Sequence, residues 1–227
     1  MKRQAQPRLT ADGQQTLDQY EQVLRQLEDL SSITVRNYLS DLRPFISWCE
    51  AYWNEKREER SFTPQAVAPA LLIRYWDYLP TSLGLKPSSV NRTLMNLKRY
   101  CAWTRKAHLI QADPASPIKF VPKEATSPRH LSDDEEEALV AAVNATGTLR
   151  DQTIIVRLLH TGLRAQELGP LTRQQLHLSK RNGTLRITRK RKKVREVPLN
   201  ATARLALNHY LERYATGNGR SFLLLCT

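Results

Sequence analysis

Cysteine is nearly absent from this chain, with Cys49, Cys101 and Cys226 the only three in 227 residues. They are too few and too far apart for a disulfide framework or a zinc site, and they suggest a reducing compartment. Glycine is also scarce, at 8 residues, while Leu, Ala, Arg, Glu and Gln are common, so helix should dominate. No apolar run approaches the roughly 20 residues that a membrane span needs. No signal peptide is legible either, because Lys2, Arg3 and Arg8 are followed by polar residues. The apolar run Phe222-Leu223-Leu224-Leu225 fits a buried strand or the start of another element better than an anchor. A cytoplasmic protein without membrane contact is expected.

What the chain has in excess is positive charge. Its formal net charge is +13 and its pI is about 10.0. Charge so far from neutral raises affinity for polyanions, provided that it is clustered. Residues 1–106 carry 16 Lys and Arg against 11 Asp and Glu, whereas residues 107–227 carry 19 against 11. The second half is the more basic, and its excess is concentrated. Lys180 to Arg195 holds nine Lys and Arg and no acid.

Hydrophobic periodicity divides the chain in two. Leu17, Tyr20, Val23, Leu24, Leu27 and Leu30 recur at helical spacing, as do Val35, Tyr38, Leu39, Leu42, Phe45, Ile46, Cys49 and Trp53. Pro44 should kink or break that second stripe. A third segment with Leu71, Leu72, Tyr75, Trp76 and Leu79 follows Pro64 and Pro69. A fourth, from Val90 to Trp103, follows Pro87. Four amphipathic helices predict a small bundle over residues 10–108. Pro114, Pro117, Pro122 and Pro128 then forbid a continuous helix, so residues 109–129 read as an extended, semi-rigid linker.

The remaining residues, 130–227, read as a mixed α+β domain. Ser132-Asp133-Asp134-Glu135 has the spacing of a capping box at a helix start. A helix carrying Ile154, Ile155, Leu158 and Leu159 stops near Thr161-Gly162, and another carries Leu168 and Leu171. The period then changes from helical to alternating. Leu185 and Ile187 alternate with Arg186 and Thr188, and Val194, Val197 and Leu199 follow the basic run. This pattern predicts a β-hairpin with Lys190 to Lys193 at its tip. A last helix covers roughly Ala201 to Tyr214. On its apolar face Tyr210 and Tyr214 read as core residues, and the lone His177 and His209 as structural.

Two motifs carry chemistry. In His160-Thr161-Gly162-Leu163-Arg164-Ala165-Gln166-Glu167-Leu168, an arginine follows a glycine turn at a helix start, with Glu167 three residues on and on the same face. A guanidinium held there suits a phosphate, although an ordinary surface Arg–Glu pair has the same spacing. The second motif is the basic hairpin. Self-repelling charge inside a folded hairpin is tolerable when a phosphate backbone neutralises it and counterions are released.

Thr161-Gly162-Leu163-Arg164 with Glu167-Leu168 resembles the first-arginine motif of tyrosine recombinases, the phage-integrase family. Lys190 through Lys193-Val194-Arg195-Glu196-Val197-Pro198-Leu199 resembles their lysine hairpin. Ile33 to Arg43 with Phe45 and Trp48, and Val90 to Leu94 with Leu97 and Lys98, resemble the family's core-binding domain. The resemblance covers residues 14–227. It implies an N-terminal four-helix SAM-like core-binding bundle, then a partial catalytic domain, the two clasping duplex DNA. It further implies attack on a DNA phosphate by a tyrosine and a 3′-phosphotyrosine intermediate, without ATP or metal.

In that scheme Arg164 stabilises the transition-state charge, Lys190 protonates the leaving 5′-oxygen and Glu167 orients the arginine. Arg189 and Arg191 stand where the family often has glycines, which leaves Lys192 as an alternative to Lys190. Arg36, Arg43, Asn91, Arg92, Lys98 and Arg99, with Arg189, Arg191, Lys192, Lys193 and Arg195, are the candidate DNA contacts. The family's His-x-x-Arg motif, later His or Trp and nucleophilic Tyr do not occur by Thr227. The expectation is therefore a DNA-associated recombination protein that binds duplex DNA and does not cleave alone, self-association on DNA being implied for the full-length family. A non-catalytic regulator or remnant occupying recombination sites is the alternative. A basic RNA-binding or ribosome-associated protein is a third reading, supported by charge but not by the two motifs.

Overall fold

The computed structural model describes residues 6–26, 30–58, 60–122, 127, 129–179, 181–188 and 194–214, and it separates the chain into two compact units, Met1–Thr126 and Ser127–Thr227. Among the described residues no helix is long and apolar enough to cross a membrane, and no group of His, Cys, Asp or Glu is placed to hold a metal ion.

The first unit is built from four helices, α1 (Ala11–Gln26), α2 (Ser32–Glu55), α3 (Pro69–Thr81) and α4 (Pro87–Lys106). Pro69 and Pro87 are the first helical residues of α3 and α4, where the missing N–H has no helical partner to lose. Ser31 caps α2 by accepting from the Thr34 backbone N–H. The stripes predicted for these helices face inward. Tyr20, Leu42, Phe45, Ile46, Leu72, Tyr75, Leu94 and Tyr100 are all buried in one core. Full burial of each such side chain contributes about 1.5–3 kcal/mol. Pro44 does not break α2, which runs through it as one helix. Phe45 and Ile46 pack immediately beyond it, and that packing offsets the lost hydrogen bond.

The proline-rich stretch differs from the predicted linker. Ala115 and Ile118 are buried in the first core, and Val121 packs against it. Asn91 on α4 donates to the Val121 carbonyl and accepts from the Val121 N–H, both at 2.8 Å. Lys98 donates to the Ala115 carbonyl at 2.6 Å. Prolines removed the option of helix, but side chains of α4 supplied the backbone partners that keep this segment folded down.

The second unit holds α5 (Asp133–Thr146), α6 (Leu149–Thr161), the single turn α7 (Ala165–Leu168), strands β1 (Leu176–Leu178), β2 (Gly183–Thr188) and β3 (Val194–Pro198), and α8 (Ala201–Tyr214). The capping box at Ser132 and Glu135 forms as its spacing requires. The sheet is antiparallel in the order β1-β2-β3, and β1 was not foreseen. Leu185 opposite Val197, and Ile187, point into the core with Leu199, Leu207 and Tyr210. Tyr214, predicted as core, is exposed at the end of α8.

Arg157 is the anomaly of this unit. It lies on the inward face of α6 with Thr153, is fully buried, and none of its three guanidinium nitrogens has a hydrogen-bond partner among the described residues. Burial pushes its pKa down to about 10, so it remains charged at neutral pH. Replacing an uncompensated buried charge by a well-packed apolar side chain is expected to stabilise by about 1–4 kcal/mol. Arg157→Met should therefore raise the midpoint of thermal or urea unfolding, as read by circular dichroism. A lowered midpoint would mean that the guanidinium is compensated.

Candidate nucleic-acid interface

The second unit's candidate site begins where α6 stops. Gly162 adopts a left-handed conformation at φ 61°, ψ 22°, which turns the chain out of the helix. Leu163 and Leu168 then anchor the turn in the core, leaving Arg164 between them at the surface. The Arg164 side chain is 76% exposed, whereas that of Glu167 is only 14% exposed. Glu167 Oε2 accepts from the Arg164 backbone N–H at 3.0 Å and from Arg195 Nη2 at 3.0 Å. Glu167 Oε1 lies 3.8 Å from Arg164 Nη1. The carboxylate thus fixes the arginine turn to β3 while leaving the Arg164 guanidinium open to solvent.

Spacing suggested an arginine at the start of a helix with a useful dipole. The helix proves to be four residues long, so the charge of Arg164 itself dominates the local field. A cleft of about 590 Å³ opens beside it, lined by Arg164, Glu167, Leu171, Gln175, Ile187 and Thr188. Thr188 pairs with Val194, and these two close the described part of the hairpin. Arg189, Lys190, Arg191, Lys192 and Lys193 lie outside the described residues. Arg164, Glu167 and Arg195 are brought together.

In the first unit the six predicted contacts separate by environment. Arg36 is exposed and, with the half-buried Arg43, lines a cleft of about 280 Å³. Arg43 donates to Gln14 Oε1 at 3.0 Å. Arg92 and Arg99 are exposed, yet both are braced. Arg92 Nη2 lies 2.9 Å from Asp41 Oδ1, and the Arg99 guanidinium sits 4.8 Å from the Tyr38 ring centroid. Asn91 and Lys98 differ from the rest, because their polar atoms bond the Val121 and Ala115 backbone.

Sequence reasoning missed Asp41, a buried carboxylate on α2 that also accepts from Asn96 Nδ2 at 2.5 Å. Its signal is an acid four residues from Asn37 and Phe45, on the same helical face as the apolar Tyr38, Leu42 and Phe45. Arg157 was missed for the same reason, a charge set at core spacing between Thr153 and Thr161.

With this geometry in hand, comparison with known proteins is decisive. Residues 17–108 match the model of the phage integrase N-terminal SAM-like domain, and residues 129–227 match that of the phage integrase family. The chain belongs to the tyrosine recombinase (phage integrase) family. It is 29% identical over 204 residues to a tyrosine recombinase XerC of Mycobacterium sp. (strain KMS), covering 86% of this chain and 64% of that protein. It is 31% identical over 212 residues to a tyrosine recombinase XerD of Pseudomonas putida, covering 92% of this chain and 65% of that one. The chain thus spans a little under two thirds of these relatives.

Solved tyrosine recombinases share its fold. A XerH site-specific recombinase bound to difH substrate aligns with a TM-score of 0.65 at 18% identity, over 93% of this chain and 61% of that chain. A lambda integrase dimer bound to a COC′ core site aligns with a TM-score of 0.67 at 14% identity, over 93% and 56%.

The left-handed turn that delivers Arg164 yields a direct test. A Cβ at position 162 meets no neighbouring atom, so a side chain there adds backbone strain alone. Gly162→Ala should lower stability by about 1–2 kcal/mol, the cost of the left-handed region for an L-residue, measured by urea unfolding. An unchanged midpoint would show that the turn takes another conformation.

Proposed function

We propose that residues 1–227 bind duplex DNA in site-specific recombination, with Arg164 as the cation that meets a phosphate. The observation that carries this reading is the exposed guanidinium of Arg164, only loosely paired with Glu167, at a cleft whose far wall is the base of a strongly basic hairpin. Lys190, or Lys192 in the alternative register, is the proposed general acid, with Arg189, Arg191 and Lys193 as backbone contacts. Arg36, Arg92 and Arg99 are the proposed contacts of the first unit, supported by their exposure. XerH is bound to difH substrate, lambda integrase to a COC′ core site and a Tn1549 transposon integrase to circular intermediate DNA, which supports a DNA partner for this chain.

The proposal assigns binding and charge stabilisation to these residues, not strand cleavage. No His-x-x-Arg occurs among them, and Tyr210 is buried in the second core. The same facts fit a non-catalytic protein that occupies recombination sites, and both versions predict the same binding.

Fluorescence anisotropy with a labelled duplex tests the reading. Affinity should fall steeply with salt, and Arg164→Ala should weaken binding about tenfold, the typical worth of one charge-assisted hydrogen bond. Equal affinity for double-stranded RNA, or an unaffected Arg164→Ala variant, would contradict it. On a nicked suicide substrate no covalent adduct is expected, and an adduct would show that the nucleophile is within these residues.

A further inference from the structure

The carboxylate of Glu167 stands between two guanidiniums and is bonded to one of them. Oε2 is 3.0 Å from Arg195 Nη2, whereas the ion pair with the Arg164 guanidinium, between Oε1 and Nη1, is looser at 3.8 Å. Arg195 is much the less exposed of the two, at 35% against 76%, and it sits on β3 opposite Ile187. A carboxylate beside two cations sides with the one that offers the shorter, better-desolvated hydrogen bond. If it turned to Arg164, it would close a fork with that guanidinium and neutralise the charge meant for a phosphate.

We propose that Arg195 is a positioning residue that holds Glu167 away from Arg164 and so keeps the Arg164 guanidinium available to an anionic ligand. Arg195 thereby acts through Glu167 and not by its own contact with DNA. The arrangement resolves a conflict built into the motif. Glu167 is needed where it is, because it accepts from the Arg164 backbone N–H and fixes the turn. The same closeness makes it the natural quencher of the Arg164 side chain, three residues away on one helical turn. A second cation, brought in by the strand that follows the basic hairpin tip, removes the quencher without removing the cap. The strand also gains, since bonding Arg195 to the arginine turn fixes the end of the hairpin against the cleft.

This inference rests on the reading that Arg164 meets a DNA phosphate, and one set of variants separates the two. Binding of a labelled duplex is measured over a range of salt for Arg164→Ala, Arg195→Gln, Glu167→Gln with Arg195→Gln, and Arg164→Ala with Arg195→Gln. Glutamine at 167 keeps an acceptor for the Arg164 N–H but carries no charge. Arg195→Gln alone should weaken binding roughly fivefold and lower the salt slope, because a neutralised Arg164 gives up its phosphate. Adding Glu167→Gln should recover most of that loss, because the uncharged side chain no longer neutralises Arg164. In the Arg164→Ala background, Arg195→Gln should have no further effect.

A loss that Glu167→Gln does not reverse, with a salt slope reduced by about 0.9, would show that Arg195 itself meets a phosphate and would overturn the proposal. Additive losses from Arg164→Ala and Arg195→Gln would overturn it too. An Arg164→Ala variant that binds as the parent does would instead sink the underlying assignment of Arg164. If glutamine at 195 prevents folding, Arg195→Lys supplies the comparison. Its single ammonium holds the carboxylate less firmly, so a smaller loss that Glu167→Gln again reverses is expected, and the absence of reversal counts against the proposal.

Discussion

One carboxylate organises the second unit's site. Glu167 accepts from the backbone of the residue three positions before it and from a guanidinium on a strand 28 residues further on. It ties the arginine turn, which Leu163 and Leu168 anchor in the core, to β3, which is registered by its ladder with β2. The bond is short and partly shielded from solvent, which gives it more weight than the usual exposed pair. It also decides the electrostatics, because a net positive cluster of two arginines and one glutamate can share an anion only if the glutamate is already occupied.

The first unit uses the same device. Asp41 is buried on α2, and Arg92 and Asn96 reach it from α4. In both places a desolvated carboxylate joins two elements by accepting from cationic or amide groups of a neighbouring element. The cost of burying each carboxylate is offset by charge-assisted hydrogen bonds. Arg157 shows the opposite case, a buried cation without such a partner among the described residues. A charge is tolerated inside this fold when its counter-charge is delivered by a neighbouring element, and the helical period alone does not reveal whether that happens.

That distinction sets what was legible in the sequence. Apolar stripes placed the four helices of the bundle, because Leu, Val and aromatic residues at helical spacing have one way to leave water. Alternation placed β2 and β3, and Gly162 placed the end of α6. The three-residue strand β1 escaped because Leu176 and Leu178 offer too short an alternation to separate from a loop. Proline density was misleading for residues 109–122. Proline excludes helix but says nothing of whether α4 supplies hydrogen bonds to a folded-down segment, as Asn91 and Lys98 do. Those two polar residues looked like contacts for a partner from position alone, and only their tertiary neighbours reveal the internal role. The Arg164–Glu167 pairing was visible as an i, i+3 spacing. The third member, Arg195, read only as part of a basic run, since its bond to Glu167 depends on the register of a hairpin that no local pattern specifies.

Two arginines that meet one carboxylate divide the labour at this site. Arginine side-chain NMR observes them separately, through the Nε–Hε resonances of Arg164 and Arg195 followed while duplex DNA is added. The Arg195 resonance should show slow solvent exchange from the outset and stay in place, while that of Arg164 begins in fast exchange and shifts with bound DNA. An Arg195 resonance that moves with DNA while Arg164 stays fixed would contradict the assignment of their roles.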